Sequence, residues 1–334
     1  MTATDHAVPL AEVVRSGRRE SLHHGVLAVC DAAGRVVLAR GEPGLRTYLR
    51  SSAKPFQAVS VLELGTAERL GLTEEELAVI VASHGAEPFQ LELVASILRK
   101  AELTEEALQC GPHDPLHRPS AAALAARGET PRRVHNNCSG KHAGMLAACR
   151  TQGWPVESYR DPAHPLQERN RRTLAAFAGI SADGLAVGVD GCGVPSFYLS
   201  LAEAATAFAR LATGAADRPE HHAAATRVLA AMQGFPVHVA YEGHFGALLS
   251  EHLGPEVVAK GGAEGVFCLG LPGLGLGLAC KILDGASRAV PTVVLAALGR
   301  LLPVADLEPL RAKALRPVKN TLGEVVGELR PVGL

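Results

Sequence analysis

The chain has 334 residues, of which 47% are hydrophobic and 20% charged, and its formal net charge at pH 7 is −1. This composition is that of a globular protein and excludes a disordered chain. Because the charge is balanced and no basic stripe is interleaved with aromatic residues, we expect no nucleic-acid partner. No uncharged apolar run approaches the roughly 20 residues of a membrane span, so we also expect no membrane partner.

Cysteine usage points to a reducing compartment. Seven cysteines are dispersed without a CxxC pair, and the N-terminal stretch lacks the basic and apolar regions of a secretory signal. We therefore expect reduced thiols and a cytoplasmic location. The chain also has 7 lysines against 26 arginines. A lysine in this chain is mildly informative about chemistry, because a desolvated lysine can act as a base and an arginine cannot.

The predicted elements run from strands to helices and back to strands. Residues 10–40 contain two apolar runs around "DAAG", a hairpin signal, and a helix is predicted to begin near 52–55. Further helices are predicted at 73–83, 88–101, 104–109, 118–126, 164–178, 197–213 and 219–233, with another in the second half of "HNNCSGKHAGMLAACR". Strands return after residue 263, followed by a helix near 291–302 and a strand near 323–331.

This order predicts an α+β fold in which both chain ends form one antiparallel sheet. The predicted sheet lobe comprises about 8–54 and 255–334, and the helical lobe comprises about 55–254. We expect 1–334 to be a single catalytic unit, with a small-molecule site in the cleft between the lobes.

The stretch "SSAKPF" begins the first helix. At a helix start, positions i and i+3 share one face, so Ser51 can approach Lys54. A neutral, buried lysine is a competent base for a serine hydroxyl. The alternative is a capping serine beside a surface lysine, and an SxxK pattern alone occurs by chance. "ASHGAE" places Ser83 beside a histidine, which by itself is a weak signal.

The stretch "HNNCSGKH" is the densest polar cluster in the chain. It begins at His135, and the paired donors and acceptors of Asn136 and Asn137 suit an amide or a carboxylate. Cys138 is predicted at a helix N-terminus, where a thiolate is favoured and metal binding becomes plausible. The alternative is a capped helix start with an inert cysteine, and the concentration of rare residues argues against it.

In the stretch "DGCGVPSF" two glycines flank a cysteine, and an aspartate precedes them. Gly191 permits close approach of the backbone to a ligand, and Asp190 can neutralise an ammonium group. Cys192 could share a metal with the thiol of residue 138, although two thiols 54 residues apart are a weak zinc signature. "AKGGAEG" adds Lys260 in front of a predicted strand.

With these clusters the chain resembles the bacterial asparaginase II family, the rhizobial, zinc-containing type. The resemblance is carried in order by "ESLHHG", "RSSAKPFQA", "ASHGAEPF", "CGPHDP", "HNNCSGKHAGML", "DPAHPLQ", "DGCGVPSF" and "KGGAEGVF". Ordered blocks over nearly the whole chain are highly specific. One departure is "SHGAE", where the family pattern is Ser-His-x-Gly-Glu, and this leaves the role of Glu87 open.

The resemblance implies a fold similar to that of serine β-lactamases and penicillin-binding proteins. It further implies two serine–lysine pairs, Ser51 with Lys54 and Ser83 with Lys260, of which the first is slightly preferred as the attacking pair. It also implies a homodimer and a Zn²⁺ site, whose ligands would be Cys138, Lys141 and Cys192 together with water.

The implied reaction is hydrolysis of L-asparagine to L-aspartate and ammonia through an acyl-enzyme. Charge matching assigns the substrate α-carboxylate to Arg50 and its α-ammonium to Asp190. The predicted substrate-binding residues are Arg50, His135, Asn136, Asn137, Asp190 and Gly191. Two alternatives stay open: a β-lactamase-like or peptidase-like serine acyl hydrolase, and a non-catalytic, zinc-dependent amino-acid-binding protein on the same fold.

Overall fold

The computed structural model describes residues 6–215 and 219–334. Both ends of the chain contribute to one eight-stranded antiparallel sheet. Its strands are β1 (Val8–Arg15), β2 (Arg18–Asp31), β3 (Val36–Arg40), β7 (Val258–Gly261), β8 (Val266–Leu271), β9 (Leu276–Ile282), β10 (Val318–Lys319) and β11 (Val325–Pro331). The strand order is β10-β11-β1-β2-β9-β8-β7, and β3 pairs with the second half of β2. The predicted α+β class is therefore confirmed, as are the hairpin at "DAAG" and the sheet from both chain ends.

A smaller sheet was missed by the sequence analysis. It has three antiparallel strands in the order β4-β6-β5, namely β4 (Arg46–Tyr48), β5 (Ala186–Val189) and β6 (Pro195–Ser200). The helix predicted at 197–213 begins only after the Ser200 N-cap. Its first predicted residues belong to β6 instead. This sheet matters for the site, since its strands flank the segments that carry Arg50 and Asp190.

The helices fill the middle of the chain, with two more near its end. They are α1 (Lys54–Glu63), α2 (Thr66–Leu70), α3 (Glu74–Val81), α4 (Pro88–Lys100), α5 (Arg118–Ala126), α6 (Ser139–Gln152), α7 (Pro165–Ala178), α8 (Leu201–Thr213), α9 (Pro219–Gly234), α10 (Pro236–Val239), α11 (Phe245–Leu253), α12 (Ala289–Leu301) and α13 (Glu308–Ala314). The helix predicted at 104–109 is only a 3-10 turn, Glu105–Ala107. Among the described residues, no helix is both long enough and apolar enough to cross a membrane.

The large sheet has a hydrophobic core on each face, and alternate side chains of its strand β2 point into the two cores. In β2, Val26 and Ala28 belong to the core shared with the helical lobe, whereas Leu27 and Val29 belong to the core beneath α12. This alternation follows from the period of two in a strand. On the helical side α8 lies directly against β9, because Gly277 has no side chain where a Cβ would stand 2.0 Å from the Ala205 carbonyl oxygen.

Candidate active site

A cavity of about 550 Å³ is lined by residues from both lobes. Most of the residues predicted from the sequence motifs line it: Arg50, Ser51, Ser83, Asn136, Asn137, Cys138, Asp190, Gly191, Cys192 and Lys260. The side chains of Lys54 and Lys141 lie behind this lining and contact it. Segments far apart in sequence thus meet at one place, as the cleft interpretation requires.

The turn that carries Ser51 is fixed against the sheet. It is a 3-10 turn, Arg50–Ala53, that leads into α1. Its first residue, Arg50, has φ +51°, a left-handed conformation that costs a non-glycine residue of the order of 1–3 kcal/mol and occurs often at functional sites. The buried Ser52 hydroxyl holds the turn in place, because it donates to the Lys260 carbonyl oxygen at 2.8 Å.

Lys54 points toward Ser83. Its Nζ lies 3.1 Å from Ser83 Oγ, 2.5 Å from the Ala82 carbonyl oxygen and 3.4 Å from that of Asn137. The i, i+3 spacing predicts that Lys54 approaches Ser51, but no hydrogen bond joins these two described residues. The reason is tertiary. Helix α3 ends at Val81, and the extended chain that follows brings Ser83 and the Ala82 carbonyl group to the amine, while the Asn137 carbonyl group comes from the segment before α6.

Lys260 contacts the same hydroxyl from the other side. Its Nζ is 2.8 Å from Ser83 Oγ and 3.3 Å from the Gly261 carbonyl oxygen. Two lysines therefore converge on one serine, so the two separate pairs of the sequence analysis form one network. Burial lowers the pKa of Lys54 and lowers that of Lys260 strongly, and the proximity of the two amines adds to the shift at Lys260.

The contacts suit neutral amines. A neutral lysine has two N–H donors and one lone pair, which matches the two carbonyl oxygens and one hydroxyl around Lys54. The Ser83 hydroxyl has one proton, so it donates to one lysine and accepts from the other. The arrangement is a short chain of proton donors and acceptors that ends in the cavity.

A second cluster is built from thiols and charged groups. Lys141 Nζ donates to Cys192 Sγ at 3.1 Å and lies 3.9 Å from Asp190 Oδ2. A hydrogen bond from Cys138 lowers the pKa of Cys192 to about 5, against the opposing effect of burial. The same bond, together with burial, raises the pKa of Cys138 to about 12. Burial alone would lower the pKa of Lys141, but the charges at Cys192, Cys138 and Asp190 outweigh it and raise that pKa.

Arg50 and Asp190 form an ion pair with each other. Arg50 Nε lies 2.7 Å from Asp190 Oδ1, which also accepts the Gly191 N–H at 2.9 Å. Burial would raise the pKa of Asp190, but the Lys141 and Arg50 charges lower it, so the carboxylate is ionised. The pair joins the turn that carries Ser51 to the segment that carries Cys192. It places one positive and one negative side chain in the cavity lining.

The "HNNC" residues divide between cavity and scaffold. His135 does not line this cavity but a separate one of about 610 Å³, and its Nδ1 accepts the Arg132 N–H at 2.9 Å, so it holds a local turn. Asn136 reaches the cavity, yet its side chain donates to the Gly111 carbonyl oxygen and accepts the Cys138 N–H. Asn137 has its side-chain amide beside the cavity with only a 3.5 Å contact from Cys138 Sγ.

Other lining residues were not predicted from the sequence. Tyr241, His244 and His113 all line the cavity. Tyr241 and His244 lie in the stretch "YEGHF". Because the chain has only 4 tyrosines and 4% aromatic residues, this cluster of rings could have indicated a site. Burial lowers the pKa of His244 to about 4, and its Nδ1 accepts the Gly246 N–H at 3.0 Å, so this ring is neutral and fixed.

Comparison with known proteins identifies the family. A family model described as L-asparaginase II matches residues 11–331. The chain belongs to this family. The predicted asparaginase II resemblance is thus confirmed at the level of the family, and membership supports an amidohydrolase. No match is found among curated proteins.

Solved structures give a more distant likeness. The native form of Mglu is 15% identical, with a TM-score of 0.50 over 89% of this chain and 69% of that chain. A β-lactamase from Mycobacterium bovis is 16% identical, with a TM-score of 0.44 over 83% of this chain and 94% of the other. A Bacillus glutaminase is 12% identical, with a TM-score of 0.40 over 84% and 91%. The likeness to Mglu concerns the fold alone.

Proposed function

We propose that this protein hydrolyses L-asparagine to L-aspartate and ammonia. The observation that carries the proposal is the convergence of two buried lysine amines on Ser83 Oγ, in a cavity that Ser51 also lines, in an asparaginase II family member. Both amines have a lowered pKa, which is what a general base needs near neutral pH. An amide is the substrate class that requires such a base together with a nucleophilic hydroxyl.

In the proposed mechanism Ser51 is the nucleophile and Ser83 transfers protons. The serine of an SxxK motif is the acylated residue in serine β-lactamases and penicillin-binding proteins, and Ser51 occupies that position before Lys54. Ser51 Oγ bonds to the side-chain amide carbon, and its proton passes through the lysine–Ser83 chain. The C–N bond then breaks as the nitrogen takes up a proton, so ammonia leaves. Water hydrolyses the remaining ester, which releases aspartate and restores the Ser51 hydroxyl.

Recognition of the amino-acid end of the substrate is assigned to the Arg50–Asp190 pair. The guanidinium matches an α-carboxylate and the carboxylate matches an α-ammonium, so a zwitterion can bind with little net change in charge. The amide of Asn137 and the backbone at Gly191 lie beside the same cavity and supply further polar contacts. Substitution of Arg50 should therefore raise KM for asparagine by about 10- to 100-fold, as expected for a charged hydrogen bond.

Zinc is a further part of the proposal. The donor chemistry of Cys138, Lys141 and Cys192 fits the ion, because two thiols and an amine are brought to one place and Cys192 favours the thiolate. When bound, zinc would supply a positive, Lewis-acidic centre beside the cavity. Lys141 would have to lose its proton to become a ligand, so zinc affinity should rise with pH.

Trapping of the acyl-enzyme tests the proposal. We expect rapid quenching during turnover of L-asparagine to give wild-type protein with the mass of one aspartyl group added. Ser51→Ala should abolish the adduct, whereas Ser83→Ala should slow its formation. Ser287→Ala, which removes another hydroxyl that lines the cavity, serves as the matched control and should behave as wild type.

The outcomes separate the competing functions. Ammonia release with no turnover of a chromogenic β-lactam supports the asparaginase, and the reverse supports a β-lactamase-like acyl hydrolase. If zinc-replete protein releases no ammonia from asparagine, a non-catalytic amino-acid-binding protein is supported instead. An adduct that survives Ser51→Ala but not Ser83→Ala would move the nucleophile to Ser83. The cytoplasmic location, the homodimer, the single catalytic unit and the absence of nucleic-acid partners stay predictions from the sequence.

A further inference from the structure

Three loops bring together side chains of types that can bind a metal ion, outside the proposed catalytic network. Glu87 is the N-cap of α4, His117 is the N-cap of α5, and Glu242 lies in the turn between α10 and α11. One ligand atom from each of these side chains lies within 4.8 Å of the other two. The cluster shares no residue with the thiol–amine cluster of Cys138, Lys141 and Cys192.

Glu87 gives the cluster a buried carboxylate without a lysine or arginine partner among the described residues. The residue is 8% exposed and takes part in a capping box with Gln90 at the start of α4; the closest cationic group is His117 Nδ1, 3.8 Å from Oε1. Its Oε2 accepts a long hydrogen bond from the Glu242 N–H at 3.4 Å. Burial raises the pKa of Glu87, and the His117 ring and the Glu242 N–H oppose this shift only in part. Buried carboxylates are normally paired or coordinate a metal, so this one calls for a cation.

No basic side chain supplies that cation. Neither glutamate of the cluster pairs with a lysine or an arginine within the described parts of the chain. His117 Nδ1 lies 2.9 Å from Ser120 Oγ, a contact that fixes the orientation of the ring. Two carboxylates and one imidazole, with room left for water on the exposed Glu242 side, are a donor set that suits zinc and similar divalent transition ions.

We propose that Glu87, His117 and Glu242 bind a divalent transition metal ion, with zinc as the best match to the ligand set. This site is distinct from the proposed thiol–amine zinc site and does not depend on the proposed function.

The ion would join loops that build the cavity rim. The Glu87 loop also carries Ser83, the His117 loop carries His113 and Leu116, and the Glu242 turn carries Tyr241. Within the first loop Ala86 has φ +61°, a strained conformation for alanine, at the position where the family pattern has glycine. Gly85 must stay a glycine, because a Cβ there would lie 2.6 Å from the Cβ atoms of His117 and Tyr241. A bound ion would hold this strained loop against its neighbours.

Cobalt(II) titration of the full-length, metal-stripped protein tests the site. In a Cys138→Ser/Cys192→Ser background, which removes the thiol ligands, we expect one equivalent of Co²⁺ to bind. Its spectrum should show weak visible bands and no sulfur charge-transfer band. Adding Glu87→Gln or Glu242→Gln should weaken this binding by at least about tenfold. Zn²⁺ should displace the Co²⁺.

Matched controls keep the test decisive. Glu92→Gln removes an exposed carboxylate from the same helix, which pairs with Arg99, and should leave binding unchanged. Glu242 is exposed, so its substitution weakens binding without the risk of unfolding that attends the buried Glu87. Absence of Co²⁺ binding in the cysteine-free background, or equal affinity in the Glu242→Gln and Glu92→Gln variants, would overturn the proposal. Neither outcome depends on asparagine hydrolysis, so the failure of this site and the failure of the proposed function are distinguishable.

Discussion

The pKa values of the buried lysines in the two clusters of the cavity shift in opposite directions. In the serine–lysine cluster (Ser51, Ser83, Lys54 and Lys260) the two amines are 1% and 3% exposed, and burial lowers the pKa of each. In the thiol–amine cluster (Cys138, Lys141, Cys192 and Asp190) the amine is also 3% exposed, yet its pKa is raised. Burial is nearly the same in both clusters, so the neighbours decide the direction of the shift.

The difference lies in what surrounds each amine. Lys54 and Lys260 contact carbonyl oxygens and a hydroxyl, which accept or donate hydrogen bonds without requiring a charged amine. Lys141 contacts Cys192 and approaches Asp190, whose negative charges compensate for desolvation. The first cluster can therefore accept a proton more readily, whereas the second favours a charged amine paired with negative groups.

Loss of either base should have the largest effect. We expect Lys54→Met and Lys260→Met each to lower kcat for asparagine hydrolysis by about 10²- to 10⁴-fold, because each interrupts the lysine–Ser83 chain that is proposed to carry the proton. Methionine fills a similar volume and leaves no buried charge. Steady-state ammonia release measures the effect, with the exposed Lys313→Met as control. Activity close to wild type in both variants would break the assignment of this cluster as the base.

Stability should respond in the opposite order. Lys141→Met leaves the charges of Cys192 and Asp190 without their ammonium partner, so we expect the free energy of unfolding to fall by about 3–5 kcal/mol. Lys260→Met removes an amine whose charged form is disfavoured by burial and by the neighbouring Lys54, so it should change stability far less. Denaturant unfolding of the metal-free proteins at pH 7 compares them. Equal losses in the two variants would show that neighbouring charge does not distinguish the clusters.

Cysteine reactivity gives a smaller but more local effect. A pKa of about 5 makes Cys192 almost wholly a thiolate at pH 7, whereas an ordinary cysteine is only a few per cent ionised. In metal-free protein a small alkylating reagent should therefore label Cys192 about tenfold to a hundredfold faster than Cys138, as read by peptide mass spectrometry. Lys141→Met should slow this labelling, and zinc should protect the thiol. Faster labelling of Cys138 would reverse the assignment of thiolate and thiol.

Sequence patterns predicted which residues form the site better than they predicted the contacts between those residues. The helix starts, the strands at both chain ends and the motifs around Lys54, Lys141 and Lys260 follow from local patterns, and the structure brings these three lysines to one cavity. That Lys54 contacts Ser83 instead of Ser51 depends on how α3 ends against α1, which no local spacing encodes. The Arg50–Asp190 pair spans 140 positions, and charge matching to a substrate treated its members as separate.

His135 illustrates the other limit. Its place in a rare polar run suggested substrate binding, but the ring folds back to accept the Arg132 N–H and does not line the cavity that holds Ser51 and Ser83. A run of polar residues shows that a segment is unusual, and it does not show which way each side chain turns. The three-stranded sheet was missed for a similar reason, since its strands are short and separated by about 140 residues.

Titration of the lysine side chains tests the central claim most directly. With only 7 lysines in the chain, Cε-labelled protein gives an NMR spectrum in which single substitutions assign each signal. In metal-free protein we predict that Lys54 and Lys260 lose their protons below the ordinary lysine pKa of about 10.4 and that Lys141 loses its proton above it. The rate of asparagine hydrolysis should rise with pH through the two lowered pKa values, because only the neutral amines accept a proton. Titration of Lys54 and Lys260 at or above the ordinary value would contradict the account.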